Sequence, residues 1–494
     1  MRASPVAASI VTIILAVSWV AVVAGQSTSR ARVVARGELV DERGRDEWDL
    51  VTLEPSGAQS GSDFSDADYA RIDAAIQTYE RTVGRLPTLR TDVPNRYPLY
   101  PHAGLHEGDM FFSSFVDLDP TDDAILDWDC SIYTYDGHSG VDSTARSFGF
   151  QDVGVPIYTP LAGRVVDTQD GNPDRNKEWA NQRANYVLID HGGQIGVYTH
   201  MRKNSVAVAT GDRVVPGQQI GLMGSSGRST ITHLHFETRV DDESLEPFAG
   251  PCRPGKSGFT KQLKFKRKTY VIDAGITDVD FRALPEPQQY PEQIPGGGQF
   301  QTDADVMYQW VLVRNLPAES TWRLVFRRPD RKIARDTGDQ PFGNDEFWRR
   351  VTWRFRTIAD DMRKITGTWK VEHYINGERM MIMPFEVVDK IDKRLNRPPT
   401  KLKKVKFLRK PKEGVVPFCR IKHPLVTDDP DYEVVSYEYV WTVNGEIVRQ
   451  LTIGAHSDAL AIDLFEKGDQ LECTVTPTDG ELQAASKSVS AKVK

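Results

Sequence analysis

Cysteine is scarce in this chain: four in 494 residues, at Cys130, Cys252, Cys419 and Cys473. No two are close neighbours, so the tight spacing of a zinc–cysteine site is absent. None lies near the N-terminus, which excludes an anchor built by lipid on a cysteine. An excess of positive charge is also missing. The formal net charge is −7, and nucleic acid is not an expected partner. The N-terminus holds the apolar run VAASIVTIILAVSWVAVVAG, residues 6–25, preceded by Arg2 and containing the small residues Ala21, Ala24 and Gly25. It reads as a signal peptide cut near Ala24 or Gly25. Its length leaves an uncleaved membrane anchor as the alternative. Either way the body of the protein is expected outside the cytosol, in the periplasm, the cell envelope or the medium. There the cysteines are expected to oxidise. Chain order favours Cys130–Cys252 and Cys419–Cys473.

An apolar content of 39% and a charged content of 27% are ordinary for folded protein, and the length suits three or four domains. Ten tryptophans and many short Val- and Thr-rich runs lean toward β structure. Residues 26–62 are polar and read as a flexible lead. Over 65–84, Tyr69, Ile72, Ile76 and Tyr79 recur at helical spacing behind a Ser65 or Asp66 cap. From about 110 to 250, short apolar stretches alternate with glycine turns, the pattern of a compact antiparallel β domain. LPEPQQYPEQIPGGGQ, residues 284–299, reads as a linker. Residues 300–390 give further strands, with Asn376-Gly377 as a hairpin signal. Asn444-Gly445 repeats that signal in the last segment, where Trp441 falls between Cys419 and Cys473. That order suggests an immunoglobulin-like sandwich. Between these two β-sandwich modules, residues 390–412 are strongly basic. They read as a solvated linker or as an electrostatic contact with an anionic wall polymer or membrane surface.

The chemistry concentrates in three short stretches. In THLHFETR (232–239), His233 and His235 project from one face of a strand, and Leu234 and Phe236 from the other. YDGHSGVD (135–142) supplies His138 and Asp142 on a loop entering a strand, and VYTHM ends a strand with His200. A catalytic zinc takes three N or O ligands and keeps a fourth position for water. Two histidines and one carboxylate meet that rule, and the two remaining histidines can serve as base and donor in peptide hydrolysis. The residue types name the five but not the division of labour among the histidines.

These stretches, with VPIYTPLAGRVV, YVLIDHGGQIGVYTHM and GDRVVPGQQIGLMGSSGRST in order between them, resemble the LytM/lysostaphin-type zinc endopeptidases that cut peptidoglycan peptides. The resemblance covers roughly residues 116–250. It implies that His138, Asp142 and His235 hold Zn2+, that His200 and His233 are the catalytic pair, and that peptidoglycan is the partner. Thr232 stands where the family often has proline, and residues 171–184 are longer than a minimal turn, an expected groove wall. His191 is read as turn chemistry, and His102, His106, His373, His423 and His456 as structural. By the same resemblance residues 26–115 are expected to pack against the groove and restrain it. The fold class is thus mainly β: a signal peptide (1–25), an extension with a small helix (26–115), an antiparallel β-sheet metallopeptidase domain (116–285), a β-sandwich (286–395) and an immunoglobulin-like module (396–494). The rival reading is a noncatalytic wall-binding or hydrolase-activating protein with a structural zinc.

Overall fold

A computed structural model describes residues 32–41, 44–52, 66–83, 95–106, 108–176, 183–229, 231–241, 243–280, 296–304, 306–357, 360–391 and 395–494. The apolar N-terminal run, most of the 284–299 linker and residues 177–182 of the expected groove wall lie outside the described residues. No helix among the described residues is long and apolar enough to cross a membrane. The chain forms two compact units.

The first unit is mainly two sheets. In one, β1 (Arg32–Asp41) and β2 (Gly44–Thr52) form a hairpin whose second strand pairs with Trp348–Thr357. That strand pairs with Met307–Leu316, which pairs with Tyr270–Thr277. Two expectations are corrected here. The polar lead at 26–62 contains a hairpin, because a strand some 300 residues onward supplies the edge it pairs with. The boundary placed at 285 separates Tyr270–Thr277 from Met307–Leu316, yet these two strands pair within one unit rather than belonging to two domains. The second sheet runs Gln299–Gln301, Glu378–Val388, Gly367–Ile375, Thr321–Arg327, Ile333–Asp336. Trp322 of this sheet packs against Trp353 and Phe355 of the first, with ring centroids 5.4 and 5.0 Å apart. Asn376 and Gly377 turn the expected hairpin with φ of 50° and 74°, the left-handed pair a two-residue turn requires.

The second unit holds the three chemistry-bearing stretches. Its helix α1 spans Asp66–Val83. The strands are β3 (Met110–Ser114), β4 (Val141–Ala145), β5 (Pro156–Tyr158), β6 (Gly163–Gln169), β7 (Tyr186–Asp190), β8 (Ile195–Thr199), β9 (Arg213–Val214), β10 (Gln219–Leu222), β11 (His233–Val240) and β12 (Glu243–Ser244), with a short helix α2 at Phe148–Val153. The main sheet runs β3-β4-β11-β8-β7-β6-β9, with β12 on β11. Register sorts its two faces. His235 sits opposite both Asp142 and Thr199, and Glu237 opposite Val197, so these side chains share one face. Leu188 and Tyr186 join that face through β7. On it lies α1, whose Ile72 and Ile76 pack with Val166, Tyr186, Leu188, Ile195 and Val197. Tyr79 Oη donates to Asp190 at 2.9 Å, and Asp73 pairs with Arg239 at 2.9 Å. The opposite face is aromatic: Phe236 meets Tyr97 and Tyr100 at 5.1 and 5.9 Å.

Both expected disulfides are present, Cys130–Cys252 and Cys419–Cys473. The second joins two sheets: Lys404–Phe407, Phe418–Lys422 and Ser457–Ala459 on one side, Glu446–Ile453, Ser436–Val443, Gln470–Thr478 and Lys487–Lys492 on the other. Trp441 is fully buried between them, and Asn444-Gly445 turns the hairpin with φ of 53° and 89°. The sandwich belongs to the same compact unit as the main sheet. Arg449 binds Asp458 at 3.0 Å and reaches Gln219 at 2.9 Å, Tyr158 Oη donates to Asp458, and His456 N donates to Asp109 at 2.6 Å.

Candidate metal centre

The HxH alternation works as a strand alternation should. Leu234 and Phe236 enter the aromatic core, while His233 and His235 turn to the face that carries Asp142. His138 arrives from the loop before β4, and His200 from the first residue after β8. The sheet thus brings together all five residues singled out in the sequence. All are buried, none more than 5% exposed.

Three of them converge. His138 Nε2 lies 3.1 Å from His235 Nδ1 and 3.2 Å from Asp142 Oδ2, and His235 Nδ1 lies 3.1 Å from Asp142 Oδ1. Donors on a tetrahedral zinc with bonds of about 2.0–2.1 Å stand roughly 3.3 Å apart, so this triangle fits that ion. The far side of each ring is held. His138 Nδ1 donates to the Phe115 carbonyl at 2.6 Å, which leaves Nε2 as the lone-pair nitrogen facing the centre. His235 Nε2 faces Glu237 Oε2 at 3.9 Å. Glu237 is fully buried and also takes a hydrogen bond from Ser244 Oγ. Burial by itself would raise its carboxyl, but the neighbouring His235 ring and the Arg239 guanidinium outweigh burial and lower it. Gly140 explains part of the GHSGVD motif: a Cβ there would come within 2.5 Å of His235 Nε2.

The other two histidines flank the triangle. His233 Nδ1 donates to the Ile231 carbonyl at 3.0 Å, and its Nε2 stands 3.8 Å from Asp142 Oδ1. His200 Nδ1 donates to the Ser226 carbonyl at 2.7 Å, and its ring centroid is 4.5 Å from that of His233. His200 has φ of 60°, a left-handed backbone rarely adopted by a side chain with a Cβ. Neighbours hold the turn in place. Asn185 Nδ2 binds the Met201 carbonyl at 3.0 Å, and Asn185 N takes Ser226 Oγ as acceptor at 2.9 Å.

Sequence reasoning missed Glu237, Asn185 and Ser226. The signal for Glu237 was available, since position 237 continues the 233–235 alternation on the same face. Asn185 and Ser226 act through backbone atoms of residues distant in sequence and left no local pattern. The structural reading of His191 agrees with its place between the Ala162 carbonyl and Tyr198 Oη, at 3.0 and 2.9 Å. A second His–Asp–His group, His423, Asp428 and His456, comes together in the C-terminal sandwich.

Residues 136–247 match the profile of the family described as Peptidase family M23. The chain is 42% identical over 89 residues to peptidoglycan DD-endopeptidase ShyA of Vibrio cholerae, covering 18% of each protein. It is 32% identical over 139 residues to lysostaphin of Staphylococcus simulans, 25% of this chain and 23% of that protein. An uncharacterized metalloprotease of Haemophilus influenzae is 30% identical over 138 residues, 27% of this chain and 25% of the relative. The matches therefore span a quarter or less of the length of these relatives.

Proposed function

Because residues 136–247 form a peptidase M23 domain of the LytM/lysostaphin family, we propose that the chain is an exported zinc endopeptidase acting on peptide bonds of peptidoglycan cross-links or stem peptides. The observation that carries this reading is the triangle of His138 Nε2, Asp142 and His235 Nδ1, flanked by two further imidazoles anchored through Nδ1. His138, Asp142 and His235 would hold the zinc. When bound, it supplies acidification of water and polarisation of the scissile carbonyl. His233, with Nε2 turned toward Asp142, takes a proton from the attacking water. His200 holds the developing oxyanion or passes a proton to the leaving amine. Glu237 keeps the His235 ring oriented.

Helix α1 occupies the same sheet face as this centre, and Tyr69 Oη meets Ser139 Oγ at 3.0 Å, one residue from His138. We propose that it restrains access of a peptide to the site. Breaking the helix with Ala74→Pro, at an exposed position, should raise turnover. The main test is digestion of purified peptidoglycan fragments by the full chain, with product masses read before and after chelation and zinc return. New amine termini that vanish with chelation support the endopeptidase. Zinc binding without any cleavage, in the Ala74→Pro chain as well, would favour a noncatalytic wall-binding protein.

A further inference from the structure

The basic stretch that closes the 390–412 segment is one wall of a groove. Residues 408–412, 415–418 and Arg420 of the C-terminal sandwich face residues 98–100, His102, 104–106 and 261–264 beside the metallopeptidase sheet, enclosing about 530 Å³ within one compact unit. Six cationic residues line it: Lys261, Lys264, Arg409, Lys410, Lys412 and Arg420. Among the described residues no aspartate or glutamate does. Among the described residues none of the six is engaged in an ion pair. His102 and His106 also line it, and burial keeps both rings uncharged, His102 being lowered to about 4. The charge of the groove is therefore that of the lysines and arginines. In a chain of net charge −7, six unpaired cations gathered from both walls of one concavity are a local reversal of sign. Folding brings like charges together here without neutralising them, which costs stability unless an anion is met.

We infer that this groove binds a linear polyanion, a polymer carrying phosphate or carboxylate groups along its length. A single small anion would engage a few of cations that come from both walls. A membrane meets flat or convex surfaces, whereas these charges line a cleft. Leu408 and Val415, 49% and 41% exposed, stand among the cations and suit the uncharged carbons between a polymer's charges. The basic stretch is then a wall of a binding site rather than a spacer. Held in the groove, such a polymer would keep the chain on an anionic matrix while the opposite face of the sheet meets a peptide.

The test uses the full chain, with long-chain inorganic polyphosphate and polygalacturonate as probes, inorganic phosphate as the monomer, and phosphatidylglycerol–phosphatidylcholine vesicles as the membrane. At least one polymer should bind, more weakly as salt rises because exposed charges are screened. The variant K261Q/K264Q/R409Q/K410Q/K412Q should bind it about tenfold or more weakly. A control that removes as many charges elsewhere, R363Q/K364Q/K370Q/K467Q/K492Q, should bind as the parent does. Binding is read on the His235→Ala chain too, so the outcome stands apart from the peptidase reading. Thermal unfolding confirms that each variant is folded. Equal weakening in both multiple variants, saturation by inorganic phosphate as tight as by polymer, capture by vesicles but not by polymer, or no polymer binding at low salt would each overturn the inference.

Discussion

Two His–Asp–His groups lie in the same compact unit, and all six side chains are buried. Their residue types are the same, yet the wiring differs. In the first group His138 spends Nδ1 on the Phe115 carbonyl and His235 turns Nε2 toward Glu237, so His138 Nε2 and His235 Nδ1 face each other and Asp142. In the second, Tyr437 stands in the middle. His423 Nε2 donates to the Thr400 carbonyl at 2.7 Å, so its Nδ1 accepts from Tyr437 Oη at 2.9 Å, and His456 Nε2 donates to the same oxygen at 3.0 Å. Asp428 lies 3.6 Å from Arg146, which already offsets its charge. A divalent ion there would face a guanidinium and displace a completed hydrogen-bond chain. A ligand set is therefore decided less by which residues meet than by what holds the other nitrogen of each ring.

The strongest way to break this contrast is to remove one histidine from each group. His235→Ala should lower zinc from about one per chain to near zero and abolish peptide cleavage. His423→Ala should leave zinc content unchanged. Equal loss in both would make the second group a metal site. Next in size are His233→Ala and His200→Ala, each expected to retain zinc while cutting turnover about a hundredfold or more. Zinc lost from His233→Ala but kept by His235→Ala would reverse the two roles. Tyr437→Phe should then sharpen the other side. It strips His423 Nδ1 of its donor and should destabilise the unit by about 1–3 kcal/mol in denaturant unfolding, with zinc and turnover unaffected. The smallest effect is on pH. Burial, with the Arg146 and Lys403 charges, lowers His423 to about 4, while burial also holds His456 well below the ordinary histidine range. Unfolded histidine protonates near 6.5, so the stability carried by these neutral rings is complete above that pH and is lost as pH falls toward 4. Melting temperatures taken from pH 7.5 down to 4.5 should fall, and fall less in His423→Ala.

The candidate site was legible because its parts follow local rules. A two-residue alternation placed His233 and His235 on one face, and a loop-to-strand transition placed His138 and Asp142. Spacing of Tyr69, Ile72, Ile76 and Tyr79 marked α1 to within a residue or so of Asp66–Val83. Both Asn-Gly turns and both disulfides fell where local chemistry and chain order put them. What stayed illegible depends on distant partners. The hairpin at 32–52 is polar and gains an edge only from Trp348–Thr357. Strand Tyr270–Thr277 stands before a linker-like stretch yet pairs beyond it. The sandwich group around Tyr437 and the cationic groove arise from segments whose meeting no short pattern announces.

The Cys130–Cys252 bridge spans 122 positions, and His138, Asp142, His200, His233 and His235 all lie inside the loop it closes. The candidate metal centre is thus threaded on a covalent ring. A single clip anywhere between His138 and His235 would convert the protein into two fragments that stay joined, with every member of the centre still attached to the same molecule. Such a nicked form would run as one species without reductant and as two with it. A cut backbone and a scattered His–Asp–His centre thus become separate events.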